Sequence, residues 1–251
     1  MENINRDAYG LEMLDYYNGI LCQEIVERDD GFISTSAIGP ATYFAKYEDW
    51  ASFEKKAIRY ARGRVLDIGC GAGRVELYLQ SRGYEVVGID NSPLAIKVCR
   101  ERGAKDVRVL PVTQISSKLG QFDTIVMFGN NFGLMGSYQR ARWLLRKFYH
   151  LTSAAARLLV QSADPYVTKL PEHLEYHKRN RKRGRMPGQL RIRIRYKKAV
   201  GYYFDYLLVS REEMQDILDG TGWTIKRFFE SGAKWGNFPY TAVIVKEAAV
   251  E

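Results

Sequence analysis

Two carboxylates and three glycines carry the chemistry written most plainly into this chain. Residues 65–74 read VLDIGCGAGR. An apolar run (Val65, Leu66, Ile68) holds one acid, Asp67, and leads straight into Gly69-Cys70-Gly71-Ala72-Gly73. The pattern predicts a buried strand, a glycine turn and a helix over 75–80. Glycines let a backbone turn tightly and approach a ligand closely, and a helix start offers N–H groups without partners. A second apolar run, Val86-Val87-Gly88-Ile89, ends on Asp90. An acid at that strand end is placed to accept hydrogen bonds from both hydroxyls of a ribose. The first half of the chain therefore reads as a site for a nucleoside-containing cofactor.

The spacing narrows the cofactor. A dinucleotide fingerprint needs a glycine at position 74, which is Arg74, and a P-loop needs Gly-Lys-Ser/Thr after the glycines, which is absent. What stands here is G-x-G-x-G with Asp67 two residues ahead of it. This resembles motif I of the class I S-adenosylmethionine (SAM) dependent methyltransferases, and the resemblance extends over about residues 60–247. Asp90 matches the ribose-binding acid of that family. Residues 121–128 (QFDTIVMF) match its fourth strand, and Gly220-Thr221-Gly222-Trp223 matches the turn before its last two strands.

The resemblance implies an α/β fold, a Rossmann-like doubly wound sheet of seven mostly parallel strands. It implies methyl transfer from SAM, with S-adenosylhomocysteine as product. Gly69, Cys70, Gly71 and Gly73 then shape the turn under the methionine part, and Asp67 orients that turn and the SAM amino group. Asp90 holds the ribose with help from Asn91. Val112 and Thr113 flank the adenine, although their strand lacks the acid the family often carries there. Phe128, Gly129 and Asn130 meet the sulfonium end. Each has a plainer alternative: Asp67 as a turn carboxylate, Phe128 as core, Arg74 as a local ion-pair partner.

The acceptor is less legible. Methyl transfer from a sulfonium is an in-line displacement that needs alignment and exclusion of water, and a base only if the nucleophile arrives protonated. Residues 128–133 (FGNNFG) depart from the N/D-P-P-Y/F motif of amino-methylating nucleic-acid enzymes. None of Cys22, Cys70 and Cys99 sits in the context of a C5-cytosine nucleophile, and the paired glutamates of arginine methyltransferases are missing after the fourth strand. The remaining catalytic candidates are Asp164 and Tyr166 after the fifth strand, His173 and His177 beside the insertion, and Tyr43 with Phe44 in the N-terminal segment. Asp164 precedes a proline and reads equally as a turn acid.

These residues need an alternating framework. Strands are predicted near 64–68, 84–89, 105–110, 122–128 and 156–162, helices near 73–82, 93–102 and 137–151, and a closing pair of strands near 223–230 and 239–246. Such alternation argues for a parallel sheet with ligands at the carboxyl ends of its strands. One domain is expected, with an N-terminal cap over 1–60, a core over 61–164 and 210–251, and a basic lid over 165–209. The cap should hold a helix over 8–22, a hairpin turn at Asp29-Asp30-Gly31 and a helix over 48–62. Within the insertion, 171–187 is polar and basic, whereas 190–196 alternates strictly and should pair antiparallel with a strand over 201–209.

The excess of positive charge is confined to that insertion. The chain is +9 overall, yet residues 169–200 contain twelve Lys/Arg and two acids, leaving 26 basic and 27 acidic residues elsewhere. The segment reads as a solvated face, as a clamp for an acidic small molecule, or as an RNA surface on which Arg191, Arg193 and Arg195 hold phosphates beside Tyr196, Tyr202 and Tyr203. A small-molecule acceptor is the leading expectation, an RNA methyltransferase the alternative, and a SAM-binding protein without catalysis the third. Insertions at this place also build dimer contacts in the family. The sequence has no metal-ligand pattern, no membrane-length apolar run and no signal-peptide pattern, and its three scattered cysteines suit a reducing, cytoplasmic setting.

Overall fold

A computed structural model describes residues 6–36, 39–230 and 239–247. The run before the glycine turn forms β3 (Val65–Ile68) and the next forms β4 (Val86–Asp90), and every residue of both is buried. Continuous burial without alternation is what a parallel sheet covered on both faces requires. The sheet they enter is completed by β5 (Val107–Val109), β6 (Phe122–Met127), β7 (Thr152–Ala163), β11 (Trp223–Glu230) and β12 (Pro239–Lys246). Its order is β11-β12-β7-β6-β3-β4-β5. The β4–β5 and β6–β7 pairs are parallel, whereas β12 runs antiparallel to both β7 and β11. This is the Rossmann-like α/β sheet expected, with its antiparallel strands near the C-terminus.

The chain divides into two compact units. The first comprises Met1–Trp50, Leu66–Gln114 and Arg191–Phe204. It contains α1 (Ala8–Tyr17), the hairpin β1 (Glu24–Arg28) and β2 (Ile33–Ser36), α2 (Gly39–Phe44), α4 (Arg74–Ser81) and α5 (Pro93–Glu101). The second comprises Ala51–Val65, Ile115–Leu190 and Asp205–Glu251. It contains α3 (Ser52–Ile58), α6 (Tyr138–Leu151), α7 (Pro171–Lys182) and α8 (Arg211–Leu218).

Boundaries follow local chemistry. The N-terminal helix stops at Tyr17 rather than running to residue 22, because Asn18 caps it through Leu14 O and Gly19 turns left-handed at φ 82°. The helix expected over 48–62 shrinks to α3, and Tyr47–Asp49 forms a separate single turn closed by extended Trp50. α5 opens with Pro93 behind the Ser92 cap, and α8 opens on a capping box between Ser210 and Glu213.

The insertion departs further from expectation. Residues 171–182 are helical, the strand predicted over 201–209 shortens to β10 (Phe204–Leu207), and a short β9 (Ala199–Val200) forms where the turn is expected. The alternating segment forms β8 (Gln189–Tyr196), which pairs antiparallel with β9 across Lys197, itself at φ 51°. On its other edge β8 pairs with β1, Ile25 opposite Arg195 and Glu27 opposite Arg193. The Asp29-Asp30-Gly31 hairpin is present as expected, β1 pairing with β2. Among the described residues, no helix is long and apolar enough to cross a membrane.

One core position is electrostatically costly. Glu76 of α4 is fully buried, and neither of its carboxyl oxygens has a hydrogen-bond partner. It lies so close over β4 that a Cβ on Gly88 would fall 2.0 Å from its Oε2, so a side chain there would have to displace the carboxyl. Burial, helped by the charges of Asp67, Cys99 and Asp106, pushes its carboxyl up to about 10. A raised acid contributes stability that is complete below its ordinary value near 4.5 and is lost as pH rises toward 10. Glu76→Gln is therefore expected to raise the thermal midpoint at pH 8 by ~3 °C or more, with the gain vanishing near pH 4.5. Thermal unfolding of both proteins across pH checks this, and a gain that is the same at every pH contradicts it.

Candidate cofactor site

The glycine turn is built by positive φ angles that side chains resist. Gly69, Gly71 and Gly73 stand at φ 73°, 53° and 83°. Space excludes side chains as well. A Cβ on Gly73 would meet Cys99 Sγ at 2.4 Å, and one on Gly71 would meet Tyr9 Oη at 2.6 Å. The turn is tied to the neighbouring strand, since the amides of Gly69 and Cys70 both donate to Ile89 O, at 2.8 and 3.1 Å. Gly73 then caps α4 without any side chain, leaving the first amides of that helix at the turn.

Asp90 closes the first unit's cradle. Its Oδ2 accepts from Gly71 N at 3.0 Å and its Oδ1 from Ser92 N at 2.9 Å. The Asn91 backbone also reaches this carboxylate, and because a carboxylate offers about four acceptor positions, capacity for a hydroxyl remains. Burial raises this carboxyl to about 6, and the amides of Ser92 and Gly71 hold it from rising further. Asp7 secures the other end of the arrangement. Its Oδ1 caps α1 through Gly10 N at 2.9 Å, while its Oδ2 accepts from Ser92 Oγ at 2.9 Å and Leu94 N at 3.0 Å.

Asp67 is the clearest sign of an absent partner. It is 3% exposed, and its Oδ2 has no hydrogen-bond partner. Burial lifts it to about 7, with Arg74 pulling it down and Asp90 pushing it up. Arg74 itself stacks 4.8 Å over Trp50. An unanswered carboxylate oxygen at a glycine turn suits the cationic amino group of an amino-acid-like ligand. The bare turn, the spare acceptor capacity of Asp90 and this oxygen all fit SAM, so the donor set passes on its own chemistry.

The other candidates in this unit are less engaged. Asn91 is exposed, and Val112 and Thr113 lie in a short turn at Val112–Gln114. Cys70 is 6% exposed and its thiol is raised well above the usual range, chiefly through its hydrogen bond with Cys99. Arg108, on the strand where an adenine-binding acid is often found, pairs outward with Asp106 at 2.8 Å.

In the second unit, Phe128 is buried, whereas Gly129 and Asn130 bend at φ 70° and 62°. Left-handed Asn130 is strained, and two side chains hold it. Gly129 N donates to Gln161 Oε1 at 2.8 Å, and Tyr206 Oη donates to Asn130 O at 2.6 Å. The Asn130 side-chain Oδ1 is buried without a partner. Gln161 and Tyr206 escaped the sequence reading because their roles arise only through strand pairing and the insertion. Tyr206 has one local correlate, Gly133, where a Cβ would fall 2.4 Å from its ring.

The catalytic candidates do not gather into one constellation. Asp164 Oδ1 accepts from Tyr166 N at 2.8 Å, the geometry of a turn acid. Tyr166 donates its hydroxyl to Glu213 at 2.5 Å. His173 shares a 3.0 Å hydrogen bond with Thr168, and His177 is buried against the Tyr166 ring. Tyr43 belongs to the first unit and donates to Glu24 Oε1 at 2.7 Å. Of the basic ridge, Arg193 and Arg195 pair with Glu27 at 2.7 and 3.1 Å, and Tyr203 bonds the same carboxylate at 2.7 Å.

Comparison with known proteins gives a consistent frame. Residues 65–153 match a family model described as a methyltransferase domain. A SAM-dependent methyltransferase from Bacteroides fragilis, solved in complex with S-adenosyl-L-homocysteine, superposes with a TM-score of 0.81 at 24% identity, over 98% of this chain and 97% of that one. A putative methyltransferase of Bacillus subtilis, YqeM, is 29% identical over 33% of this chain and 35% of its own length. The 2-heptyl-1-hydroxyquinolin-4(1H)-one methyltransferase of Mycobacteroides abscessus is 39% identical over 26% of this chain and 31% of its own. The chain thus spans about a third of the length of these two relatives.

Because Gly73 is both left-handed and pressed against Cys99, Gly73→Ala is expected to cost about 1–3 kcal/mol. Denaturant unfolding measures it, and a loss below a few tenths of a kcal/mol would show that the turn tolerates a side chain.

Proposed function

We propose that this chain, which has the class I methyltransferase fold and a methyltransferase-domain match at residues 65–153, is a SAM-dependent methyltransferase acting on a small molecule. The observation that carries the reading is the unpartnered, buried Oδ2 of Asp67 beside a glycine turn that Asp90 fixes through the Gly71 amide. SAM supplies an electrophilic methyl group on a sulfonium. Asp67 receives the amino group, Asp90 receives the ribose hydroxyls, and the amides at the start of α4 receive the carboxylate. Asn130, fixed in its left-handed conformation by Tyr206, offers backbone and side-chain oxygens toward developing positive charge, with Phe128 and Gly129 as its frame. The whole 1–251 chain works as one methyltransferase domain in this reading, in a reducing cytoplasmic compartment that suits its three free cysteines.

Two arginines of the basic ridge are already matched by Glu27, which argues against an anion clamp at that ridge. A second reading, methylation of RNA, draws on a different observation. Lys178, Arg181, Lys182 and Arg183 stand exposed in and after α7, with no ion-pair partner for the last three among the described residues.

Transfer of labelled methyl from SAM into a source-cell extract, fractionated by size and ribonuclease treatment, separates these readings. Label is expected in the small-molecule fraction, whereas label in ribonuclease-sensitive polymer would replace that acceptor with RNA. Asp90→Ala is expected to weaken SAM binding at least tenfold, about 1.4 kcal/mol, through loss of charge-assisted hydrogen bonds. Calorimetry with unchanged SAM affinity in that variant would remove Asp90 from the site.

A further inference from the structure

Two glutamates of the first unit, Glu12 fully buried and Glu24 half-buried, have no cation paired with them among the described residues. Glu12 in α1 has no exposure, and neither carboxyl oxygen has a hydrogen-bond partner. Glu24 opens β1 and accepts from Tyr43 Oη at 2.7 Å. α2 packs directly on it, for a Cβ on Gly39 would lie 2.9 Å from Glu24 Cβ. No lysine, arginine or histidine pairs with either glutamate among the described residues. Burial pushes Glu12 up to about 8 with help from the charge of Glu24, and raises Glu24 as well, against the Tyr43 hydrogen bond.

Two tyrosines join this pair to the glycine turn. Tyr9, one helical turn before Glu12, meets Tyr43 edge-to-face with centroids 5.4 Å apart. Its hydroxyl occupies the space over Gly71 where a side chain would stand. Tyr9 also feels the charges of Asp90, Glu24, Cys70 and Glu12, all of which raise it. Glu24, Tyr43, Tyr9 and the middle glycine of the cradle thus form a chain of contacts, with Glu12 one helical turn along α1 from Tyr9.

An uncompensated buried carboxyl such as that of Glu12 costs stability, and a hydrophobic residue would fill its place in α1 at lower cost. Aromatic faces beside carboxylates are the chemistry that recognises an organic ammonium ion. We propose that Glu12 and Glu24, walled by Tyr9 and Tyr43 beside Gly71, form the acceptor subsite and take a protonated amine as the group to be methylated. This deepens the methyltransferase reading and rests on it. One carboxylate accepts an N–H proton from the ammonium. The freed lone pair forms the bond from nitrogen to the methyl carbon as the carbon–sulfur bond breaks, and that electron pair stays on sulfur. The products are a protonated N-methylamine, S-adenosylhomocysteine and a carboxylic acid that returns its proton to solvent.

The test uses the full chain saturated with S-adenosylhomocysteine and titrated by calorimetry with benzylamine, or with benzyl alcohol as its neutral counterpart. Benzylamine is expected to bind at least tenfold more tightly than the alcohol. Glu12→Gln and Glu24→Gln are each expected to lose at least tenfold in amine affinity while holding S-adenosylhomocysteine within twofold of wild type. The amine–alcohol comparison in the wild-type chain stands even if a variant fails to fold. Equal binding of the two probes, no amine binding, or wild-type amine affinity in both variants overturns the subsite while leaving the cofactor reading intact. Failure of the wild-type chain to bind S-adenosylhomocysteine overturns the cofactor reading and the subsite together.

Discussion

The carboxylate of Asp90 is the joint on which the cradle depends. One oxygen takes the amide of Gly71 and the other the amide of Ser92. The first bond fixes a left-handed turn, and the second fixes the start of α5. A single side chain at a strand end thus sets the position of two backbone segments. Asp7 repeats the device, bonding the starts of α1 and α5 at once. The cradle is therefore held mainly by charge-assisted hydrogen bonds to backbone, which are stronger and more directional than apolar contacts.

That design carries a concentrated acidic cost. Asp67, Glu76 and Asp90 in the core, with Glu12 of α1 and Glu24 of β1, all have raised carboxyls, with burial as the leading cause. Asp67 and Asp90 retain free acceptor capacity, as a site for a hydroxyl-rich, cationic cofactor requires. Glu76 serves no such purpose in the present account and is a plain cost to stability near neutral pH.

Much of the fold and the glycine turn of the candidate site can be read in advance because they depend on local rules. The turn needs glycine at Gly69, Gly71 and Gly73 for backbone reasons alone, so the sequence reports it directly. The boundaries of the last two strands, 223–230 and 239–246, come instead from the family resemblance, through the matching turn at Gly220-Thr221-Gly222-Trp223. What could not be read arises from pairing at a distance. Nothing near Arg193 announces that Glu27 will neutralise it, since β1 and β8 meet only in three dimensions. Likewise Gln161 and Tyr206 hold the bend at Gly129 and Asn130 from remote strands. Nor does spacing announce that Glu12 is buried, because burial is a property of packing.

The most direct test of the central claim is a crystal structure of the full chain with S-adenosylhomocysteine. The account predicts the ribose hydroxyls on Asp90, the amino group on Asp67 Oδ2, and the methionine part lying over residues 69–73. A ligand bound elsewhere, or one bound here that leaves Asp67 Oδ2 without a partner, would contradict it.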